Sequence, residues 1–163
     1  MSAVRHGATA AAVLAAAALA TATVVKWEGW ARTAYPDIAR VWTICAGDTQ
    51  NVGSGQTATD FECERRLGRA AVRVGFEIAP CLPQDLPTET RAAFISAAYN
   101  IGTAAFCGSS MARRARAGDL AGACRALDLW NKARRGGGSL VVIRGLVLRR
   151  SDERRLCEAG LRP

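Results

Sequence analysis

The sequence predicts an α+β fold, with a small antiparallel sheet near the start, a helical majority after it and an apolar N-terminal segment in front. Three observations carry this reading. Between residues 26 and 56, short apolar pieces such as Val41-Trp42-Thr43-Ile44 lie between turn residues at Pro36-Asp37, Ala46-Gly47-Asp48 and Asn51-Val52-Gly53-Ser54-Gly55, with no helical period. Beyond Thr59 the apolar residues step by three and four, the spacing of helix faces. The chain has 163 residues, 50% of them hydrophobic, and contains neither a repeat nor a linker long enough to divide two independent domains, so one domain is expected.

The N-terminal segment differs from the rest. Residues 7–25 carry no charge over 19 positions and stand between Arg5-His6 and Lys26. As a helix they would reach about 28 Å, near the lower limit for crossing a bilayer. Ala, Gly and Thr dominate, so the apolar character is weak. A basic start before an apolar run has the shape of an export signal, and Ala18-Leu19-Ala20 offers a cleavage site. A buried Ala-rich helix, a cleaved signal peptide and a retained, weakly held anchor all fit. The chain is therefore divided into a signal-anchor segment, 1–25, and a folded domain, 26–163.

In the folded part, Thr59-Asp60-Phe61-Glu62 has capping-box spacing, and Leu67, Ala71, Val74 and Ile78 line one face of a helix expected over 59–77. Pro80, Pro83 and Pro87 break the chain, and Thr88 is positioned to cap a helix carrying Ala92, Phe94, Ile95, Ala98 and Tyr99. Short helices are expected at 108–117 and 119–130, a loop at Arg135-Gly136-Gly137-Gly138-Ser139, and a last helix from about Ser151 with Asp152 and Glu153 in its first turn.

Charge and cysteine usage narrow the class. Lys and Arg number 22 against 14 acids, a net +8, which favours a polyanionic partner. Basic residues interleaved with aromatics on a sheet, and any recognition helix, are missing from the pattern, which argues against nucleic acid. The six cysteines, at 45, 63, 81, 107, 124 and 157, form no Cys-x-x-Cys pair, and the single histidine, His6, lies in the N-terminal segment. No metal and no cofactor is therefore expected. Up to three disulfides in an oxidising compartment suit the count, with buried free thiols as the alternative. Cys45 ends a strand and Cys63 opens the long helix 18 residues on, so a bridge between them is expected; the other four are left unassigned.

The chemistry concentrates in residues 26–49, KWEGWARTAYPDIARVWTICAGDT. With no histidine in the folded part, Ser-His-Asp and Cys-His catalysis are unavailable. A carboxylate pair remains, the equipment of sugar hydrolysis, where one acid donates a proton and the other stays charged. Glu28 is flanked by Trp27 and Trp30, an apolar surround suited to a protonated acid; Asp37 lies in a polar turn suited to an ionised one.

At these residues the chain resembles the T4-type phage lysozymes, glycoside hydrolase family 24, in their lambdoid endolysin branch. The resemblance rests on Glu28-Gly29, on Tyr35-Pro36-Asp37 and on Thr43 followed by Ala46-Gly47-Asp48, with nine residues from Glu28 to Asp37 and six more to Thr43. It continues through Gly55-Gln56-Thr57, Ala98-Tyr99-Asn100-Ile101-Gly102-Thr103, Leu129-Trp130-Asn131 and Gly145-Leu146-Val147 to Arg149-Arg150, Glu153 and Leu156-Cys157, covering about 26–158.

The resemblance implies a lysozyme-like fold, a sheet lobe and a mostly helical lobe joined by a long helix. It implies hydrolysis of the β-1,4 bond between N-acetylmuramic acid and N-acetylglucosamine in bacterial peptidoglycan, for host cell lysis. Glu28 is the implied general acid, Asp37 the carboxylate that activates water, and Thr43 the residue holding that water or the adjacent sugar. Tyr35, Asp48, Asn100, Trp130 and Asn131 are candidates for the substrate cleft. Trp130 fits a core position equally well, and Tyr99 with Asn100 either links the two lobes, the favoured role, or touches the chemistry. Asp48 stands where the family has His, and Ala39 where it has Gly. A third acid near the cleft would raise a neighbour's pKa or compete for its role. Arg134, Arg135, Arg149 and Arg150 either attract the anionic wall or form a solvated basic face, and Arg113, Arg114 and Arg116 read as a solvated charge run.

The N-terminal segment resembles the signal-arrest-release segments of some endolysins. Cleavage after Ala20 or Ala22 would leave seven or five residues before Glu28, poor support for an acid that closes an N-terminal helix starting near residue 20. The implied partners are the general secretion machinery, the inner membrane before release and, indirectly, a holin; the implied state is a monomer, exported to the inner membrane facing the periplasm and then soluble there. The alternatives are a non-catalytic peptidoglycan-binding module, and a muralytic enzyme of prophage or tail origin.

Overall fold

The computed structural model describes residues 9–37, 39–134 and 138–162; Arg5, His6, Arg135 and Gly136-Gly137 lie outside them. Helix α1 (Ala10–Glu28) begins ten residues before the expected start at 20. Alanine is the strongest helix former, so the run propagates back until a cap stops it. Thr9 is that cap, its hydroxyl accepting from the Ala12 N–H at 3.3 Å. At the other end Gly29 turns to φ 80° and returns its N–H to the Val25 carbonyl. Glu28 is thus the last residue of α1.

Strands β1 (Ala31–Pro36) and β2 (Trp42–Cys45) pair antiparallel, with Tyr35 opposite Thr43, and isolated bridges join Thr33 to Thr57 and Ile44 to Asp48. Helix α2 (Asp60–Ile78) carries the expected capping box, Thr59 and Glu62 exchanging bonds. It crosses between two cores. Cys63 belongs to the cluster under the sheet with Ala34, Ile44 and Cys45; Leu67 joins Val24 and Ala46; Ala71, Val74 and Ile78 reach the large helical core.

Helix α3 (Thr88–Ile101) runs through the middle of that core, buried continuously from Thr90 to Ala98. Its cap differs from expectation: Pro87 occupies the capping position and Thr88 is the first helical residue, because the ring fixes φ at −54° and the Pro87 carbonyl already accepts from Arg91. Three short helices follow, α4 (Thr103–Cys107), α5 (Ser110–Arg116) and α6 (Leu120–Arg125), the last running into a 3-10 turn over Ala126–Leu129. A hairpin of β3 (Lys132–Arg134) and β4 (Leu140–Val142) flanks the expected loop.

The last helix, α7 (Arg144–Ala159), starts seven residues earlier than expected. Asp152 and Glu153 therefore lie in its middle. Tertiary packing decides this: Arg149, Arg150, Glu153 and Cys157 form its buried face against α3, a face that charge made invisible as a hydrophobic stripe.

All six cysteines are paired, as Cys45–Cys63, Cys81–Cys107 and Cys124–Cys157. The first is the expected bridge and fastens the sheet lobe to α2. The others tie the chain after α2 to α4, and α6 to α7. Each loop closes without crossing another, at separations of 18, 26 and 33 residues, each worth about 3–4 kcal/mol by chain entropy.

Helix α1 packs on α2 and α3 through Val13, Ala16, Ala17, Ala20 and Val24. The approach to α2 is close at Gly75, where an added Cβ would stand 2.8 Å from Val13 Cγ1 and 3.1 Å from Ile95 Cδ1. Gly75→Ala is therefore expected to destabilise the fold by about 1–3 kcal/mol in urea denaturation, through overpacking. Gly68→Ala, on the same helix with nothing within 4 Å of its added Cβ, is expected to be neutral or stabilising.

Candidate active site

Four elements converge on Glu28. It closes α1, and its carboxylate accepts from Arg149 on α7, Nη1 to Oε1 at 2.6 Å. Behind it, the Ala46-Gly47 turn follows β2. Gly47 has φ 80°, and a Cβ there would lie 3.4 Å from Glu28 Oε2. The positive φ favours glycine, which explains the glycine in the Thr43-to-Asp48 motif, while the distance sets Oε2 in van der Waals contact with the turn. Tyr99 on α3 supports the same turn, its hydroxyl donating to the Ala46 carbonyl at 2.8 Å. Burial, then the charges of Glu28 and Asp48, push the Tyr99 phenol up to about 12. Tyr99 thus links the lobes, one of the two roles its position suggested.

Arg149 and Arg150 are neither wall-attracting nor a solvated face. Both are buried, 3% and 1% exposed, around a fully buried Glu153. Arg149 Nε donates to Glu153 Oε1 at 3.0 Å and its Nη2 to the Ser96 carbonyl at 3.3 Å. Arg150 donates to Glu153 Oε2 and to Asn100 Oδ1, and its Nε to the Trp130 carbonyl at 3.0 Å. Burial pushes the Arg150 guanidinium below its ordinary value, with the Glu153 charge opposing. The Arg149-x-x-x-Glu153 spacing is the i,i+4 signature of a helical ion pair, and a helix read from 144 instead of 151 would have displayed it.

The Arg149 guanidinium sets a charge against Glu28, where the sequence suggested an apolar surround. Trp30 donates its Nε1–H to Asp60 Oδ1 at 2.9 Å beside Arg32, and these bonds hold the Asp60 carboxyl below its usual range. Asp37 is half-buried where β1 ends. Its Oδ1 accepts from the N–H groups of Ala39 and Val41, both at 2.8 Å, and fixes the turn between β1 and β2. Oδ2 has no protein partner among the described residues. Thr43 is buried on β2 with its hydroxyl donating to the Val41 carbonyl at 3.0 Å, and Tyr35 opposite it is 40% exposed.

Asp48 is paired with Arg66 on α2 at 2.8 Å, and its other oxygen accepts from the Gln50 N–H. A third acid near the cleft is thereby neutralised and ties the loop to the long helix. Arg150 brings Asn100 and Trp130 together; Asn131 leads into β3, its carbonyl accepting from Ile143 and its buried Oδ1 unpartnered. Of the run at 113–116, Arg114 pairs with Asp119 and Arg116 donates to the Cys81 carbonyl, both at the surface.

Two lobes joined by a long helix, with an acid presented at the end of the first helix, are the features of a lysozyme-like glycoside hydrolase. The chain belongs to the phage lysozyme family, whose model matches residues 25–153. It is 37% identical over 134 residues to a SAR-endolysin of Enterobacteria phage PA-2, covering 82% of this chain and 78% of that one. Among solved structures it is similar to the muramidase domain of SpmX from Asticaccaulis excentricus, at 25% identity and TM-score 0.80, covering 89% of this chain and 96% of that one. It is also similar to the endolysin of Escherichia coli O157:H7 phage FAHEc1, at 26% identity and TM-score 0.79, covering 88% and 93%.

Tyr99→Phe removes the tie to Ala46 and leaves that carbonyl unpaired, a loss of about 1–2 kcal/mol. A phenol whose pKa is raised on folding contributes fully below its free value of 10.0 and loses that contribution as pH rises toward about 12. Urea midpoints of the parent are expected to fall over that window more steeply than those of Tyr99→Phe.

Proposed function

We propose that the protein is an endolysin, a muramidase that hydrolyses the β-1,4 bond between N-acetylmuramic acid and N-acetylglucosamine in bacterial peptidoglycan. The observation that carries this is Glu28 fixed at the end of α1 by Arg149, beside the Gly47 turn. Arginine has no acceptor, so Oε1, which faces Arg149, does not carry the proton. Oε2, on the Gly47 side, is the oxygen that donates to the leaving glycosidic oxygen. Asp37, locked through Oδ1, offers Oδ2 to orient and deprotonate the attacking water, as a general base does in two-carboxylate hydrolysis. Thr43 and Tyr35, paired across the sheet, border that water and the sugar. Asn100, Trp130 and Asn131 form the other wall, and Asp48 acts through Arg66 on the loop, outside the chemistry. The +8 charge favours the anionic wall.

The enzyme is exported and associates with the membrane before acting in the periplasm. Two properties of α1 support retention of the N-terminal segment as a releasable anchor. An 18-residue window of the helix has mean hydropathy 1.7, yet only one face is buried in the fold. Leu14 and Leu19 remain 50% and 39% exposed, so the helix carries apolar side chains outside the fold as well as within it. Weak hydropathy fits a helix that leaves lipid for the protein core. The general secretion machinery delivers it, a holin acts indirectly by collapsing the membrane potential, and the released enzyme works as a monomer.

Glu28→Gln is expected to abolish release of muropeptides from purified peptidoglycan while keeping the fold, and Asp37→Asn to cost less. A Glu28→Gln protein active at the parent rate refutes the assignment, and one that binds the wall without cutting separates enzyme from binding module.

The anchor is tested at positions the folded enzyme leaves exposed. Ala11, Ala15, Ala18 and Ala22 changed together to Leu raise the hydropathy without entering the core, whereas Ala16 and Ala17 are buried. This variant is expected to stay in the membrane fraction and lyse late. N-terminal sequencing of the soluble active parent is expected to find residues before 20; a start at Thr21 or Thr23 contradicts retention.

A further inference from the structure

We infer that Glu153 is a positioning residue for the reaction, acting through Arg149 on Glu28; this rests on the reading of Glu28 as the acid. Glu153 is fully buried, lies on α7 and is bonded through both oxygens. Oε1 accepts from Arg149 Nε at 3.0 Å and from the Ser96 hydroxyl of α3 at 2.8 Å, while Oε2 accepts from Arg150. A carboxylate held from two helices is a rigid reference point.

Arg149 is oriented by that point. Its guanidinium is planar, with donors in a fixed fork. Nε is taken by Glu153 and Nη2 by the Ser96 carbonyl, and two anchors define the plane. The remaining edge, Nη1, then meets Glu28 Oε1 at 2.6 Å in one direction only. Without Glu153, a long side chain with several rotatable bonds would be steered by Glu28 alone, and acid and cation would move together. Charge leads to the same conclusion. Arg149 and Arg150 are two buried cations facing two acids, Glu153 and Glu28. Removing the Glu153 charge leaves both cations with Glu28 as the one remaining acid of the cluster, which draws the carboxylate away from the leaving oxygen.

The test compares Glu153→Gln, Ser96→Ala and Glu28→Gln with Glu77→Gln, a surface control on α2, using turnover of solubilised peptidoglycan well below each variant's Tm. Glu153→Gln is expected to lower kcat about 10- to 100-fold with KM nearly unchanged, since the residue touches no sugar and Arg150 keeps its own bonds to Asn100 and the Trp130 carbonyl. Ser96→Ala keeps the charge and loses one bond to Oε1, and is expected to lower kcat about 2- to 5-fold. A purely structural role would lower Tm and leave kcat per folded molecule at the parent value. Folded Glu153→Gln with parental kcat overturns the inference while Glu28→Gln stays inactive. If Glu153→Gln does not fold by circular dichroism, Ser96→Ala decides: reduced kcat at unchanged KM supports the inference, and parental kcat overturns it. Glu28→Gln with parental turnover removes the reading of the acid and this inference together.

Discussion

The guanidinium of Arg149 is where three helices meet. It touches Glu28 at the end of α1, Ser96 in the middle of α3 and Glu153 one turn further along α7. Buried charge is expensive unless every partner is in place, so this cluster tolerates few arrangements of the three helices. Apolar packing among Ala16, Ala20, Phe94 and Ile95 is permissive by comparison. The ion cluster converts a helix that merely packs into one that ends with its last side chain at a defined point. Arg150 extends the same constraint outward, to Asn100 and the Trp130 carbonyl, so both are tied to the same acid.

The first helix answers to two environments. Ala16, Ala17 and Ala20 make up much of its buried face, and the same alanines keep its hydropathy modest for a bilayer span. A bulkier helix would hold a membrane better and fit the core worse. The proposed export route and the close packing therefore favour the same Ala-rich sequence. The disulfides act elsewhere: none touches α1, so the body of the enzyme is cross-linked independently of the helix that completes it.

Much of the fold was legible from local signals. The capping box at Thr59, the helical step from Leu67 to Ile78 and the turn residues before 56 carry their structure in a few adjacent side chains, and α2 and the sheet were found where these lie. The start of α7 was hidden because its buried face is made of Arg149, Arg150 and Glu153, which a hydrophobic pattern scores as surface. The true start of α1 was hidden for the opposite reason: an unbroken Ala run has no edge until Thr9. Of the candidate site, Glu28, Asp37 and Thr43 stood out by spacing and resemblance. The group that orients Glu28 lies 121 residues away in sequence, and only the fold brings it there.

The central claim is that the carboxylate at the end of α1 drives hydrolysis of the glycan strand. Mass spectrometry of fragments released from purified peptidoglycan tests it most directly. The account predicts soluble muropeptides with stem peptides intact and free reducing N-acetylmuramic acid ends, each carrying the mass of one added water. Fragments ending in anhydro sugars, or uncut glycan strands shorn of their peptides, would contradict it.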